Sequence, residues 1–273
     1  MYFLADPLAF IIRPIYNLIQ NYGLTLIIVT ILIRLLTIPL TVMSQKSMAK
    51  TQLIQPQMLK LQEKYKNDKQ KLSIEMQKLY KKYDVNPMGG CLPLIVQMFI
   101  LFGFIGVIYN PLQYILQLSK EQIGAISEAV GAKVATYQVT LCGMEGVAEQ
   151  IVALGKTPIN FNFFGIDLTS VLKGNESDIM MWIFPALAVI ATVLSGYITK
   201  IQTPQNGQVN EQAQSMSNSM LTVMPVMTAI FTYTMPAGMS LYWFVSTAFQ
   251  ILQQTVINKI INNKVKKEIE GNH

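Results

Sequence analysis

The sequence predicts an all-α polytopic membrane protein, with five transmembrane helices around a hydrophilic groove and a cytoplasmic helical hairpin. Three observations lead there. Hydrophobic residues fill 51% of the 273 positions and charged residues 13%, against roughly 25% charged in soluble domains. Five apolar stretches, 23–43, 92–113, 179–199, 219–235 and 237–258, each approach the roughly 20 residues that span a hydrocarbon core. Charge is also sorted between the joining segments: residues 42–91 hold ten Lys against four acids, and residues 114–178 hold four Lys against seven acids.

The elements follow in chain order. Residues 1–22 carry Asp6 ahead of the first basic residue, Arg13, and Pro7 and Pro14 interrupt a weak amphipathic pattern. This is unlike a cleaved signal peptide and predicts a helix lying in the interface. The 23–43 span carries Arg34 near its middle, where a guanidinium costs about 2.5–3.5 kcal/mol on insertion scales. The span's thirteen Leu, Ile and Val residues make that charge tolerable without explaining it. The predicted spans contain no Asp or Glu, so the expected environment of Arg34 is a hydrated cavity lined by hydroxyls and amides.

Residues 44–91 predict a hairpin of two amphipathic helices. Ile54, Met58, Leu61 and Tyr65 fall on one helical face, and Leu72, Met76, Leu79, Tyr80 and Tyr83 on another. Asp68 stands where it can cap the second helix. The segment 114–178 shows no clean period and is expected to be partly helical and extracytoplasmic. Residues 200–218 form a cytoplasmic loop, Met235-Pro236-Ala237-Gly238 a tight turn between the last two spans, and residues 259–273 a basic tail. The Lys excess places the 44–91 hairpin and the tail in the cytoplasm and the N-terminus outside, which predicts a multi-pass membrane protein.

Polar stripes recur at helical spacing. Thr30, Arg34, Thr37 and Thr41 share one face of the first span, and Trp243, Thr247, Gln250 and Gln254 one face of the last. Gln97 stands in the second span. Ser and Thr in membrane helices commonly bond their own backbone; stripes on several spans around an arginine favour a shared groove instead. Met216, Met220, Met224 and Met227 also share a face, read either as core filler or as an adaptable client-contact surface.

The composition excludes several classes. The single histidine is the last residue, His273, which removes His-based catalysis and His metal sites. Cys91 and Cys142 are expected on opposite sides of the membrane and unpaired. No phosphate-binding loop is present, so neither enzymatic activity nor a cofactor is expected. The rival reading is an anion channel or transporter using Arg34; proton- or cation-coupled transport would call for intramembrane carboxylates or His.

Three stretches then carry a resemblance: "NYGLTLIIVTILIRLLTIPLTVMSQKSMAKTQLIQPQMLKLQEKYKNDKQKL", "LYKKYDVNPMGGCLPLIVQMFILFGF" and "MPVMTAIFTYTMPAGMSLYWFVSTAFQILQQ". Together they resemble the YidC family of membrane protein insertases. The resemblance implies an insertase and chaperone for integral membrane proteins, acting alone or beside the Sec translocon through a groove open to cytosol and lipid. It implies as partners nascent membrane proteins, the ribosome, the Sec translocon and the lipid bilayer, and no sequence-specific nucleic acid. The family's groove arginine corresponds to Arg34, its "LPLIVQ" and "LYW" positions to Leu92 to Gln97 and Leu241 to Trp243. With no large extracytoplasmic domain ahead of the first span, a Gram-positive-type member is expected.

Overall fold

The computed structural model describes residues 4–86, 92–132, 137–202 and 211–270. In chain order these form α1 (Ala5–Ile19), α2 (Tyr22–Leu36), α3 (Ile38–Lys64), α4 (Lys69–Lys82), α5 (Leu92–Tyr109), α6 (Pro111–Tyr114), α7 (Lys120–Ala129), α8 (Gln138–Cys142) and α9 (Val147–Ala153). A two-stranded antiparallel hairpin follows, β1 (Asn162–Phe163) and β2 (Ile166–Asp167), then a 3-10 turn (Ile179–Trp182), α10 (Ile183–Gln202), α11 (Glu211–Thr234) and α12 (Ala237–Glu270). The chain divides into two compact units.

The first unit comprises Met1–Ile33, Gln97–Thr192 and Pro225–Thr247. Its core gathers Ile12, Leu26, Phe104, Ile108, Phe163, Leu168, Met239 and Tyr242. The helix α1 enters that core through Ala5, Leu8, Ala9, Ile12 and Tyr16, a spacing that puts all five on one face. Small residues set the approach: a Cβ at Gly106 would stand 2.6 Å from that of Ala5. Phe10 and Leu18 point away and are exposed. Beneath α6 to α9 lies a second cluster of Leu112, Leu118, Ile126, Leu141, Val147 and Ile151. Ser119 opens α7 with a reciprocal capping box to Gln122, which satisfies two backbone donors that the helix would otherwise leave open.

The second unit comprises Arg34–Val96, Val193–Met224 and Ala248–His273. Here α3 and α4 pack as a hairpin around Ile54, Leu79 and Val85, flanked by Met58, Leu61, Tyr80 and Tyr83. Asp68 accepts the Lys71 backbone N–H at 2.9 Å and starts α4. Lys50 reaches Asp84 at 3.4 Å, and Ser47 donates to the Asn86 carbonyl at 2.8 Å, tying the chain after α4 back onto α3. Since Ile54 is only 1% exposed, Ile54→Ala should destabilise the hairpin by about 2–5 kcal/mol. The readout is faster amide exchange across α4. The exposed Ile74 provides the control, with Ile74→Ala changing stability by less than about 0.5 kcal/mol.

The helix lengths correct the expected fold class. Among the described residues, one helix, Ile179–Ile201 with mean hydropathy 2.1, is long and apolar enough to cross a membrane. A second crossing arises only if α2 and α3, bent by 52° at their junction, count as one span. Five transmembrane helices, and with them the multi-pass topology, are therefore overturned.

The reasons are local. In the 23–43 stretch, Thr37 separates the two helices and a proline stands in the first turn of α3; Pro39 has no N–H for the carbonyl four residues back, which bends or breaks a helix. The 92–113 stretch breaks at Asn110, where Pro111 starts α6, leaving the apolar helix Ile95–Tyr109. The 219–235 stretch contains the short apolar helix Thr222–Thr234, preceded in α11 by Gln212, Gln214, Ser215 and Asn218. In α12 the helix continues, but Gln250, Gln253, Gln254 and Asn258 dilute its hydropathy.

Candidate functional site

The most concentrated polar constellation lies in the second unit, on one face of α12. The Arg34 guanidinium donates from Nη2 to Gln250 Oε1 at 3.4 Å. One turn further along, Gln254 donates from Nε2 to Thr199 Oγ1 of α10 at 3.2 Å. Residues four apart stand one above the other on a helix, so Gln250 and Gln254 carry Arg34 and Thr199 onto a common face. Arg34 occupies the last turn of α2, where outward-pointing carbonyls and the negative end of the helix dipole favour a cation. Thr37 donates to the Arg34 carbonyl at 3.0 Å and so finishes that helix end. This helix end, rather than the middle of a straight apolar helix, is where the structure puts the charge.

The other predicted groove residues divide between the units. Thr30, Gln97, Trp243 and Thr247 belong to the first; Arg34, Thr37 and Gln250 belong to the second. The buried Thr30 hydroxyl donates to the Leu26 carbonyl at 2.6 Å, and Thr41 donates to Thr37. Gln97 donates to the hydroxyl of Tyr242 at 3.3 Å. The Tyr242 ring is buried and stacks on Phe104 at 4.1 Å. Trp243 is half-buried against Phe231 at 5.9 Å, and Thr247 is half-buried. Met224 and Met227 are exposed; the side chains of Met216 and Met220 lie outside the described residues, as do residues 87–91 of the "NPMGGCLP" stretch.

On the α3–α4 hairpin, Met58, Leu61 and Tyr80 pack against its core, and Met76 is half-buried. Tyr65 lies beneath two ammonium groups, Lys64 at 5.3 Å and Lys71 at 5.4 Å. Two residues that sequence patterns did not single out also matter. Gln253 is buried on α12 with its amide nitrogen unsatisfied, and Ser44 is buried on α3. A helical wheel assigns both to faces, but only the packing shows which faces are enclosed.

Nothing in the site suggests bond chemistry. Among the described residues no group of three or more His, Cys, Asp or Glu side chains could hold a metal ion. Burial pushes the Cys142 thiol well above its ordinary range, and the charge of Asp167 adds to the shift; a thiol held protonated is a poor nucleophile.

The carboxylate most strongly held in its charged form closes a loop in the first unit. The Glu176 carboxylate accepts the Gly174 backbone N–H at 2.9 Å and the Tyr233 hydroxyl at 2.6 Å. Those bonds, the Gly174 one foremost, lower its pKa to about 2. A depressed carboxylate contributes stability that is fully present above its unfolded pKa of about 4.3 and is lost as pH falls toward the folded value. An acid titration should therefore loosen the 172–178 loop between about pH 4 and pH 2, read from the emission of Trp182, whose indole donates to the Glu176 carbonyl at 3.1 Å. In Glu176→Gln that transition should vanish.

Comparison with known proteins places this arrangement. The profile of the family described as 60Kd inner membrane protein matches residues 14–265. The membrane protein insertase YidC of Fusobacterium nucleatum is 30% identical over 256 residues, covering 94% of this chain and 95% of that protein. The YidC of Prosthecochloris aestuarii is 34% identical over 261 residues and that of Syntrophus aciditrophicus 32% over 256. This chain spans only 37% and 36% of the length of those two longer relatives. With the match running through both units and through Arg34, Thr199, Gln250 and Gln254, the chain belongs to the YidC family of 60Kd inner membrane proteins.

Proposed function

We propose that this protein is a membrane protein insertase and chaperone, binding nascent membrane proteins and easing their polar ends past the hydrocarbon barrier. The observation that carries the reading is the polar face of α12, where Arg34 and Thr199 meet Gln250 and Gln254. In the same unit Leu36, Val193, Tyr197, Ile201 and Leu252 are exposed. A client segment has the complementary pair of features, an apolar helix and a polar flank. An unsatisfied backbone group in hydrocarbon costs several kcal/mol. Amides and a guanidinium that exchange hydrogen bonds with the flank lower that cost, and burial of the client's apolar helix in lipid drives the outcome.

In this reading Arg34 attracts acidic flanks, with Thr37 and Gln250 beside it supplying polar surroundings; in the first unit the half-buried Gln97, Trp243 and Thr247 are further client contacts. The exposed Met224 and Met227 adapt to varied apolar surfaces, as unbranched thioethers do. The α3–α4 hairpin meets clients first, together with the ribosome, and the Sec translocon works alongside. Family membership and the name of the relatives support these roles.

The test is insertion of a single-span client with a short tail into liposomes carrying the purified protein. Protease-protected client above the level of empty liposomes is expected; equal protection in both would refute the reading. Deleting residues 50–80 should reduce crosslinking of stalled nascent clients several-fold, and unchanged crosslinking would remove the hairpin from the account.

A further inference from the structure

The β1–β2 hairpin ends in a turn that its sequence makes costly. Phe164 and Gly165 both adopt positive φ, 53° and 79°, the backbone of a two-residue hairpin turn in which Asn-Gly is the usual pair. A bulky residue in that region is a genuine outlier; the Phe164 ring meets the neighbouring Phe163 ring edge-on, centroids 4.7 Å apart, yet is left 79% exposed. Its neighbour Phe163 does the structural work, buried in the core and stacked on Phe184 of α10 with ring centroids 6.1 Å apart.

That stacking fixes where the tip sits. A Cβ at Gly165 would stand 3.9 Å from the Met180 Cε, so the tip lies beside the 3-10 turn that opens the Ile179–Ile201 helix. Ile179 is 83% exposed there, and Met180 and Trp182 are exposed too. The Trp182 ring is held by the bond from its indole N–H to the Glu176 carbonyl. Asn162, Asp167, Glu176 and Asp178 are exposed around them, giving an apolar patch with a polar rim.

We propose that Phe164, Ile179, Met180 and Trp182 form an anchor that seats in the headgroup–acyl boundary of the bilayer. Continuity selects that occupant: the patch runs directly into the one described helix able to cross a membrane. The chemistry agrees for Trp182, an aromatic side chain with one polar atom of the kind that concentrates at that depth, and exposed apolar patches with polar rims mark contact sites. Dipping Phe164 into the boundary supplies the burial that the fold withholds from it. The inference concerns lipid contact and stands apart from the client-binding reading.

The test places a single tryptophan at the tip, Phe164→Trp in a Trp182→Phe/Trp243→Phe background, reconstituted in phosphatidylcholine vesicles. The lipids carry bromine either near the headgroup or near the chain ends. Shallow bromine should quench at least about twice as strongly as deep bromine, as belt residues do. A tryptophan at exposed Lys156, in the same background, should be quenched by neither. Quenching at 164 no greater than at 156 would overturn the proposal. So would stronger quenching by deep bromine, or a blue-shifted emission that neither lipid quenches, which would mean that a client or a second copy covers the patch. If Phe164→Trp does not fold, Trp182 in a Trp243→Phe variant is the second reporter, with the same shallow preference expected and its absence decisive against the anchor.

Discussion

Replacing Arg34 with alanine is expected to cut insertion of clients with short acidic translocated tails by about tenfold or more, which is about 1.4 kcal/mol of lost interaction. The size follows from the position of the charge. Two unit charges 4 Å apart attract by about 1 kcal/mol in bulk water and about 4 kcal/mol at the effective dielectric of a protein surface. Arg34 is half-buried, so its pull on a carboxylate falls between these limits, less the cost of removing both groups from water. Its bond to Gln250 is long at 3.4 Å, and such a bond is readily exchanged for a better acceptor. A carboxylate is that acceptor, because charge-assisted bonds are roughly twice as strong as neutral ones.

The conservative variant separates charge from shape. Arg34→Lys keeps the positive charge at the end of α2 and should retain activity within about threefold, since the ammonium still complements the helix dipole. Gln250→Ala should cost less than Arg34→Ala because it leaves the cation in place. Clients with neutral tails should respond weakly to all three. Normal insertion of acidic-tailed clients by Arg34→Ala in a depletion strain would contradict the electrostatic role.

A steric effect on stability is expected at Gly23. A Cβ there would overlap the Phe163 ring, which cannot easily recede because it is stacked on Phe184 and carried by the short β1–β2 hairpin. Ala for Gly in a helix gains about 1 kcal/mol of propensity, while overpacking a core costs about 1–3 kcal/mol. Overlap wins, and Gly23→Ala should lower the melting temperature in detergent, with Gly23→Val lower still. Gly124 in α7 has nothing within 4 Å of its would-be Cβ, so Gly124→Ala should raise it. The double variant Gly23→Ala/Phe163→Ala should lose less than the two single losses added together, as expected for groups in contact.

How far the sequence could be read depends on what each pattern measures. Helical periodicity measures faces, and on α3 Ile54 is buried with Leu79 while Met58 and Leu61 pack partly buried beside them. Hydropathy over a window sums side chains and ignores backbone breaks. Five apolar stretches therefore stand out in the sequence, while the breaks at Thr37 and Asn110 and the polar start of α11 do not. In sequence the guanidinium stands in the middle of an apolar stretch; the bend beyond it makes it a charge at a helix end. Gln250 and Gln254 were legible as one face; the burial of Gln253 between them was not. The 161–168 stretch "FNFFGIDL" alternates buried and exposed residues except at its Phe164-Gly165 turn. A period of two over so few residues is weak, and the positive φ angles that make it a hairpin leave their mark only in Gly165.

The most direct test of the client-binding claim is photocrosslinking from position 34 to a stalled nascent membrane protein. A photoreactive residue at 34, and another at 243, should form adducts with the client's polar flank and its adjoining apolar helix. Adducts should disappear when the client is released. Labelling of lipid alone from position 34, with the client bound elsewhere on the protein, would contradict the account.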